Sequence, residues 1–255
     1  MTTQDGPRTI EAVEKSITVL EALQELNGAG VTELTNHLDM AKATVHSHLV
    51  TLRASELVVQ DGSEYRVGLR FLGFGEYAKH QQKLYPVVKQ EADALAEEAG
   101  EAIQFLVEEH GRGVYLYKTE ADRAIQTGAH TGSRRPLHCT ALGKSVLAHL
   151  PEKRVDKIVE RHGLPQQTPN TITNRSDLHA ELAKIREQGY AFDDEEVQPG
   201  LRCVAAPVFD FDGDVLGAIS IAGPTSRMSD DRFNETIPEM VLNSANIIEI
   251  NVRHI

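Results

Sequence analysis

The feature that most constrains this chain is a helical pattern at residues 40–53, MAKATVHSHLVTLR, which is followed by an Asp-Gly pair at residues 61–62. Val45, Leu49 and Leu52 recur at the spacing that places them on one apolar helix face. An Asp-Gly pair between two β-rich runs is a strong indication of a tight hairpin. A helix followed directly by a hairpin is the order of a recognition helix and its wing. The pattern therefore predicts a winged helix-turn-helix that binds DNA.

Two further helical patterns precede this segment. Apolar residues recur at helical spacing from Val13 to Leu23, Gly28 ends that helix, and Thr32 is expected to cap a short second helix. On the third helix the polar side chains then face outward, where they can reach base edges and phosphates. A small helical domain that binds another protein is the alternative interpretation. The predicted DNA-contacting residues are Lys42, Thr44, Ser47, His48, Thr51, Arg53 and Arg66.

The rest of the chain is predicted to form a larger domain, which makes the fold class α+β with a mostly antiparallel sheet. Residues 1–68 are assigned to the winged helix-turn-helix, 69–83 to a linker that is at least partly helical, and 84–255 to the second domain. Residues 131–136 are expected to be a loop, and Ser229 is expected to cap the C-terminal helix. Strands are predicted near 101–109, 113–119, 123–129, 190–195, 202–209 and 215–222.

The composition is strongly acidic, with 38 Asp and Glu residues against 26 Lys and Arg and a formal net charge of −12. Such a chain is a poor non-specific DNA binder, so contact with DNA requires a local basic or polar patch. An acidic, lysine-poor composition is typical of a haloarchaeal protein, with an ordinary acidic bacterial protein as the alternative. No apolar run reaches the ~18 residues that span a bilayer, and residues 1–8 lack a signal-peptide core. We therefore expect a cytoplasmic protein without a membrane partner.

Two segments of the second domain carry motifs similar to those of the IclR family of transcription regulators. They are residues 136–144, PLHCTALGK, and residues 192–207, FDDEEVQPGLRCVAAP, and residues 210–223 continue the similarity. Residues 10–80 resemble the N-terminal domain of the same family, with the triplet TVH at 44–46 where that family carries its recognition helix. On these motifs, which occur in the family's order, the chain is identified as a member of the family.

This resemblance implies a GAF-like effector-binding domain, a small-molecule effector, double-stranded operator DNA and a homodimer or dimer of dimers. It implies neither a cofactor nor an enzymatic activity. Family members commonly place Ser before the Thr of the triplet and Arg after the His, where this chain has Ala43 and Ser47. The operator sequence therefore does not carry over. Ala222 stands where some carboxylate-binding members have Ser, which favours an effector larger or less polar than the smallest oxo-acids.

The residues at these motifs have the chemistry of a pocket for a small organic acid or a sugar-derived metabolite. Thr140 is a good N-cap, so the amides that follow it should point unsatisfied at the positive end of a helix dipole and could hold a carboxylate. Asp193 could accept a hydrogen bond or bind as the protonated acid. Cys203 and Ser220 lie on neighbouring strands whose alternation could aim both inward. The predicted effector-binding residues are Thr140, Ala141, Leu142, Asp193, Cys203 and Ser220.

Other roles for these residues are also open at this point. The two cysteines, Cys139 and Cys203, cannot form a disulfide framework and are expected to be reduced. Together with His138 and Asp193 they are ligands that Zn²⁺ accepts, so a metal- or redox-responsive regulator is one alternative. A cysteine nucleophile would instead make a GAF-like enzyme, although no base with an orienting acid stands out. His138 could simply support its loop, Lys144 could pair with a carboxylate, and Asp193 could belong to a solvated acidic turn.

Overall fold

The structure, a computed structural model, describes residues 8–120 and 128–253. The chain divides into two compact units, residues 1–78 and 79–255. Most of the strand expected at 123–129 falls in residues 121–127, outside the described residues. Within the described residues, none of the helices combines the length and the apolar character needed to cross a membrane.

The first unit has the order of elements that residues 40–67 predict. The turn between the second and third helices is made by Asp39, whose φ of +49° lies in the left-handed region that Asp tolerates. The expected cap at Thr32 is wrong, because the second helix begins at Val31. Its N-cap is Gly30, two residues before Thr32. In order, the elements are α1 (Glu11–Glu25), β1 (Ala29–Gly30), α2 (Val31–Leu38), α3 (Lys42–Ala54), β2 (Val58–Asp61) and β3 (Glu64–Val67).

The core of this unit forms where the apolar faces of its helices meet. Val45, Leu49 and Leu52 of α3 are buried, as their helical spacing predicts, and they share one cluster with Val19 of α1 and Leu34 of α2. Burying a side chain of this size contributes about 1.5–3 kcal/mol each. The core therefore holds α3 in one rotational setting, with its polar side turned outward.

The β2–β3 hairpin follows α3 as the wing should. Gly62 and Ser63 form a two-residue loop between the paired residues Asp61 and Glu64. Gly62 has a φ of +59°, which favours glycine because it has no Cβ. After the hairpin, α4 (Arg70–His80) shows that the segment predicted as a linker is helical for most of its length.

The elements of the second unit are α5 (Tyr85–Ala99), β4 (Ala102–Glu109), β5 (Arg112–Glu120), β6 (Arg134–Arg135), α6 (Ala141–His149), α7 (Glu152–His162), α8 (Arg175–Gln188), β7 (Ala191–Asp194), β8 (Leu201–Phe209), β9 (Val215–Pro224) and α9 (Ile237–Val252). The strands form one antiparallel sheet, whose order in the described residues is β6-β5-β4-β9-β8-β7. The segment at 131–136, predicted as a loop, contains the short edge strand β6.

The C-terminal helix begins just after Ser229, as the sequence predicts. Residues 230–231 are helical, and the carbonyl oxygen of Ser229 accepts the backbone N–H of Phe233 at 2.8 Å. A π-helical turn, Arg232–Thr236, then leads into α9, whose first turn contains Pro238.

The alternation along β9 decides which helices cover each face of the sheet. Ile219 and Ile221 pack in the cluster that contains α5 and α9, whereas Ala218 and Ala222 pack in the cluster that contains α6 and α8. Ser220 lies between the two alanines and therefore faces α6. The small residues on this face let α6 approach the sheet closely, which creates the setting for the site below.

Candidate functional site

The outer side of α3 is the candidate DNA-contacting surface of the first unit. Lys42, Ser47, Thr51 and Arg53 are exposed there, and Thr44 is half-buried. The hydroxyls of Ser47 and Thr51 each donate to the backbone carbonyl one turn earlier, both at 2.9 Å. Each hydroxyl oxygen keeps its capacity to accept, so both can take a hydrogen bond from a base amino group.

Two histidines of α3 differ in their surroundings. His48, which the sequence suggested for DNA contact, is half-buried, and its Nδ1 lies 2.8 Å from the hydroxyl oxygen of Ser16 on α1. His46 is exposed and lies one helical turn after Lys42. Sequence reasoning left His46 out, although the helical phase set by the apolar residues could have identified it.

The arginines predicted to contact DNA, at the end of α3 and on the wing, already have local partners. Arg53 donates to the side-chain oxygen of Gln60, and Arg66 forms an ion pair with Glu64 at 3.1 Å. Both partners of this ion pair are more than half exposed, so the pair contributes about 0–1 kcal/mol and exchanges readily for a phosphate. Asp61, also exposed, lies beside the turn. The wing therefore offers little net positive charge.

A small cavity in the second unit receives one side chain from every strand of the sheet. Its volume is about 30 Å³, roughly the space of one water molecule. Because the two edge strands, β6 and β7, both line it, the sheet must curl around the cavity. In sheet order the contributing residues are Arg135, Tyr115, Gln104, Ser220, Cys203 and Asp193, and the remaining lining residues are Ala129, Thr140, Ala141, Leu142, Val197 and Leu201.

The N-terminus of α6 forms the helical wall of this cavity. Thr140 is the N-cap, and its Oγ1 accepts the amide of Gly143 at 2.9 Å, so that amide is not available to a ligand as the sequence suggested. The amides of Ala141 and Leu142 belong to the first turn, which has no intrahelical acceptors for them. A Cβ at Gly143 would lie 2.2 Å from the carbonyl oxygen of Leu137, so glycine allows the loop before α6 to pack against the helix.

Asp193 is a buried carboxyl at the end of β7, with an exposed fraction of 1%. Its Oδ1 accepts the backbone N–H of Glu196 at 2.7 Å. Burial, and after it the nearby negative charge of Glu196, raise the pKa of Asp193 to about 7. Asp193 is therefore partly protonated at neutral pH and can donate as well as accept a hydrogen bond. The alternative of a solvated acidic turn is wrong for this residue.

A buried ion pair fixes the loop behind Asp193 to α6. Lys144 has an exposed fraction of 1% and donates to Glu196, with Glu181 at 3.5 Å. Burial raises the pKa of the Glu196 carboxyl, and the charge of Lys144 opposes that rise. Thr171 donates to the backbone carbonyl of Glu196 at 2.6 Å and holds the same loop. The prediction that Lys144 pairs with a carboxylate is confirmed.

The middle of the cavity is polar and uncharged. Ser220 is fully buried, and its hydroxyl oxygen has no hydrogen-bond partner within the described residues. Burial raises the pKa of the Cys203 thiol and that of the Tyr115 phenol well above their usual ranges. A buried hydroxyl without a partner loses free energy that a ligand could restore, which makes this part of the cavity a candidate binding surface.

The cysteine chemistry considered from the sequence finds no support in this geometry. Burial raises the pKa of Cys139 to about 12 and that of Cys203 well above its usual range, so both thiols are protonated near neutral pH and are poor nucleophiles. In the described part of the chain, no group of three or more His, Cys, Asp or Glu side chains is placed to hold a metal ion. His138 is buried and its Nε2 lies 3.1 Å from the carbonyl oxygen of Pro165, which fits the loop-supporting role.

The structure thus places all six of the predicted effector-binding residues around one cavity. Sequence reasoning missed several others: some lie on strands far from the two motifs, and Val197 and Leu201 lie within the second motif but carry no polar group. Gln104 and Tyr115 carry no local signal, and Arg135 was assigned to a loop. The lining residues that it missed are Gln104, Tyr115, Ala129, Arg135, Val197 and Leu201.

Comparison with known proteins agrees with both units. Residues 12–62 match the IclR helix-turn-helix domain, and residues 76–250 match the family described as bacterial transcriptional regulator IclR C-terminal. The second match alone covers more than half of the chain. The chain belongs to the IclR family of transcriptional regulators. These relatives are named as transcriptional regulators, which gives no support to the alternative of a GAF-like enzyme.

Relatives align with this chain over most of its length. A probable HTH-type transcriptional regulator, ArcR, from Halobacterium salinarum is 34% identical over 96% of this chain and 95% of its own. The transcriptional repressor IclR of Escherichia coli K12 is 32% identical over 89% of this chain and 84% of its own. The crystal structure of the Thermotoga maritima IclR superposes with a TM-score of 0.77 at 26% identity, over 96% of this chain and all of that one.

Proposed function

We propose that this IclR-family regulator responds to a small organic acid or a sugar-derived metabolite that binds the cavity of the second unit. Binding there changes the affinity of the winged helix-turn-helix for operator DNA. Ser220 carries the proposal, because its buried hydroxyl without a partner shares the cavity with the free amides at the start of α6. A carboxylate or hydroxyl at that point would satisfy both.

The size of the cavity gives the response its physical basis. At about 30 Å³ the cavity is small for a metabolite, so we expect an effector to bind a state in which the cavity is wider. A ligand that binds one of two states shifts the population toward that state by its difference in affinity. The loop held by the Lys144–Glu196 ion pair lies next to the cavity and is the element we expect to move.

The proposed DNA-contacting surface consists of the outward residues of α3 and the wing named above, together with His46. Lys42 and the arginines bind phosphates, while Thr44 and Ser47 read base edges near the start of the helix. Because the chain is acidic overall, these contacts rely on base and shape readout more than on general attraction.

We propose that the regulator is a homodimer, or a dimer of dimers, on a two-fold symmetric operator. Its first unit exposes apolar side chains that a second copy would cover. On α1 they follow one stripe, where Val13 and Ile17 are 53% and 50% exposed, and Ile10 just before the helix is 69% exposed. Leu69 and Leu72, near the start of α4, are 82% and 64% exposed. Sedimentation velocity of the full chain tests this, and a monomer at all concentrations would contradict it.

The test of the proposed function is fluorescence anisotropy with the DNA upstream of the protein's own gene, beside a scrambled duplex of the same length. Near-molar KCl suppresses non-specific binding, following the roughly −0.9 slope per phosphate contact. We expect specific binding that a pool of organic and sugar acids strengthens or weakens. No preference for the upstream duplex, with or without the pool, would contradict the proposal.

A further inference from the structure

We infer that Arg135 makes the cavity selective for effectors that carry two anionic groups, such as dicarboxylates or phosphorylated acids. One anionic group would bind at the start of α6 beside Ser220 on β9, and the second would bind Arg135 on the edge strand β6, three strands away. This inference rests on the proposed function, and it specifies the chemical class of the effector.

The Arg135 guanidinium carries a positive charge beside the cavity. Arg135 is half-buried on the edge strand β6 and lines the cavity, and its backbone pairs with Gly113 of β5. Within residues 8–120 and 128–253, neither an ion pair nor a hydrogen bond engages its guanidinium. A partly desolvated guanidinium with five donors and no acceptor costs free energy that a bound carboxylate or phosphate would restore.

The charge of Arg135 acts on the cavity itself. It opposes the rise in the pKa of the buried Tyr115 phenol, whose hydroxyl is also influenced by Cys203 and Asp193. Because Arg135 is half-buried and lines the cavity, its guanidinium can reach a ligand bound there. Arg134, its neighbour on the same strand, is exposed, because successive residues of a strand point to opposite faces.

The cavity also offers a second anion site, separate from Arg135. The first-turn amides of α6 line it, and so does the hydroxyl of Ser220, which has no hydrogen-bond partner among the described residues. In the sheet order β6-β5-β4-β9-β8-β7, Arg135 is on one edge strand, whereas Ser220 is three strands away on β9. The uncharged Tyr115 and Gln104 line the space between them. An effector with anionic groups at both ends matches this distribution of charge.

Matched pairs of acids that differ only in the second carboxylate test the inference. Isothermal titration of the full chain compares succinate with butyrate, and glutarate with pentanoate, for the wild type, Arg135→Gln and Arg134→Gln. The two variants remove the same charge from adjacent residues, and only the first removes it from the cavity. We expect the wild type and Arg134→Gln to bind the dicarboxylates more tightly, by on the order of 10- to 100-fold. Arg135→Gln should lose that preference and keep its affinity for the monocarboxylates.

Two results would overturn the role of Arg135 and leave the proposed function intact. One is an unchanged preference for dicarboxylates in Arg135→Gln. The other is tighter binding of the monocarboxylates by the wild type. In both cases the acids would still alter operator anisotropy. If neither class of acid binds, the inference is wrong. The operator anisotropy assay with uncharged sugars then decides the proposed function separately.

Discussion

Replacing Asp193 by Asn should stabilise the protein, and the gain should grow as the pH rises. Burial, followed by the charge of Glu196, raises the pKa of Asp193 from 3.8 to about 7 in the folded state. Between these values the folded chain binds more protons than the unfolded chain, so wild-type stability falls with increasing pH. Asn is neutral throughout this range, and its Oδ1 can still accept the Glu196 amide that lies 2.7 Å from Asp193.

The magnitude follows from the difference between the folded and unfolded pKa values. That difference is about 3 units, and each unit corresponds to 1.36 kcal/mol, so the gain reaches about 4 kcal/mol once Asp193 is fully ionised. Most of the pH dependence falls below pH 8. Between pH 5.5 and 8.5 the advantage of the Asn variant should increase by about 2 kcal/mol.

Urea denaturation of the wild type and Asp193→Asn at pH 5.5, 7.0 and 8.5 measures this difference. Asp194→Asn is the matched control, because Asp194 is adjacent, 52% exposed and paired with Arg202, so its loss should not stabilise the protein at any pH. A stability difference that is the same at all three pH values would show that the ionisation of Asp193 does not destabilise the folded protein. So would an Asn variant that is less stable than the wild type at pH 8.5.

The same ionisation should govern effector binding. Above pH 7 the charged Asp193 repels an anionic effector, so wild-type affinity should fall by up to tenfold per pH unit. Asp193→Asn should show a flatter pH profile, and Asp193→Ala should lose the effector response while it keeps operator binding. An intact response in the Ala variant would remove Asp193 from the binding site.

Three further predictions concern other parts of the molecule. Thr44→Ala combined with Ser47→Ala should weaken specific operator binding by about 1–3 kcal/mol per lost base contact without unfolding the protein, and unchanged anisotropy would place the reading surface elsewhere. Lys144→Met should cost about 3–5 kcal/mol in urea denaturation, because it leaves the Glu196 carboxylate buried without a cation, and adding Glu196→Gln should restore much of that loss. Gly143→Ala should destabilise by about 1–3 kcal/mol through its clash with a backbone carbonyl, and a melting temperature equal to that of the wild type would argue against this close packing.

Local signals in the sequence were sufficient for most of the helices and strands. The cap at Thr140 and the buried face of Val45, Leu49 and Leu52 depend on residues within one or two helical turns, and the structure confirms both. The partial burial of His48 is harder to predict, because it depends on where α1 packs against α3.

The composition of the cavity could be predicted only in part, because it depends on contacts between distant strands. Asp193 and Ser220 were identified because they lie in recognisable motifs. Arg135 lies in a two-residue strand whose sequence resembles a loop, and nothing local indicates that it pairs with β5. That Arg135 and Asp193, on opposite edges of the sheet, line one cavity follows from the strand order and the curl of the sheet, which adjacent residues do not reveal.

We propose that the effector cavity and the operator-binding surface are coupled. Thermodynamic linkage between effector binding and operator binding tests this coupling directly. The measurement is the affinity of the selected acid for the free protein and for the protein saturated with operator duplex, determined by titration calorimetry in the same buffer. We expect two different affinities, whose ratio equals the factor by which that acid changes operator affinity. Equal affinities in the two states would contradict it.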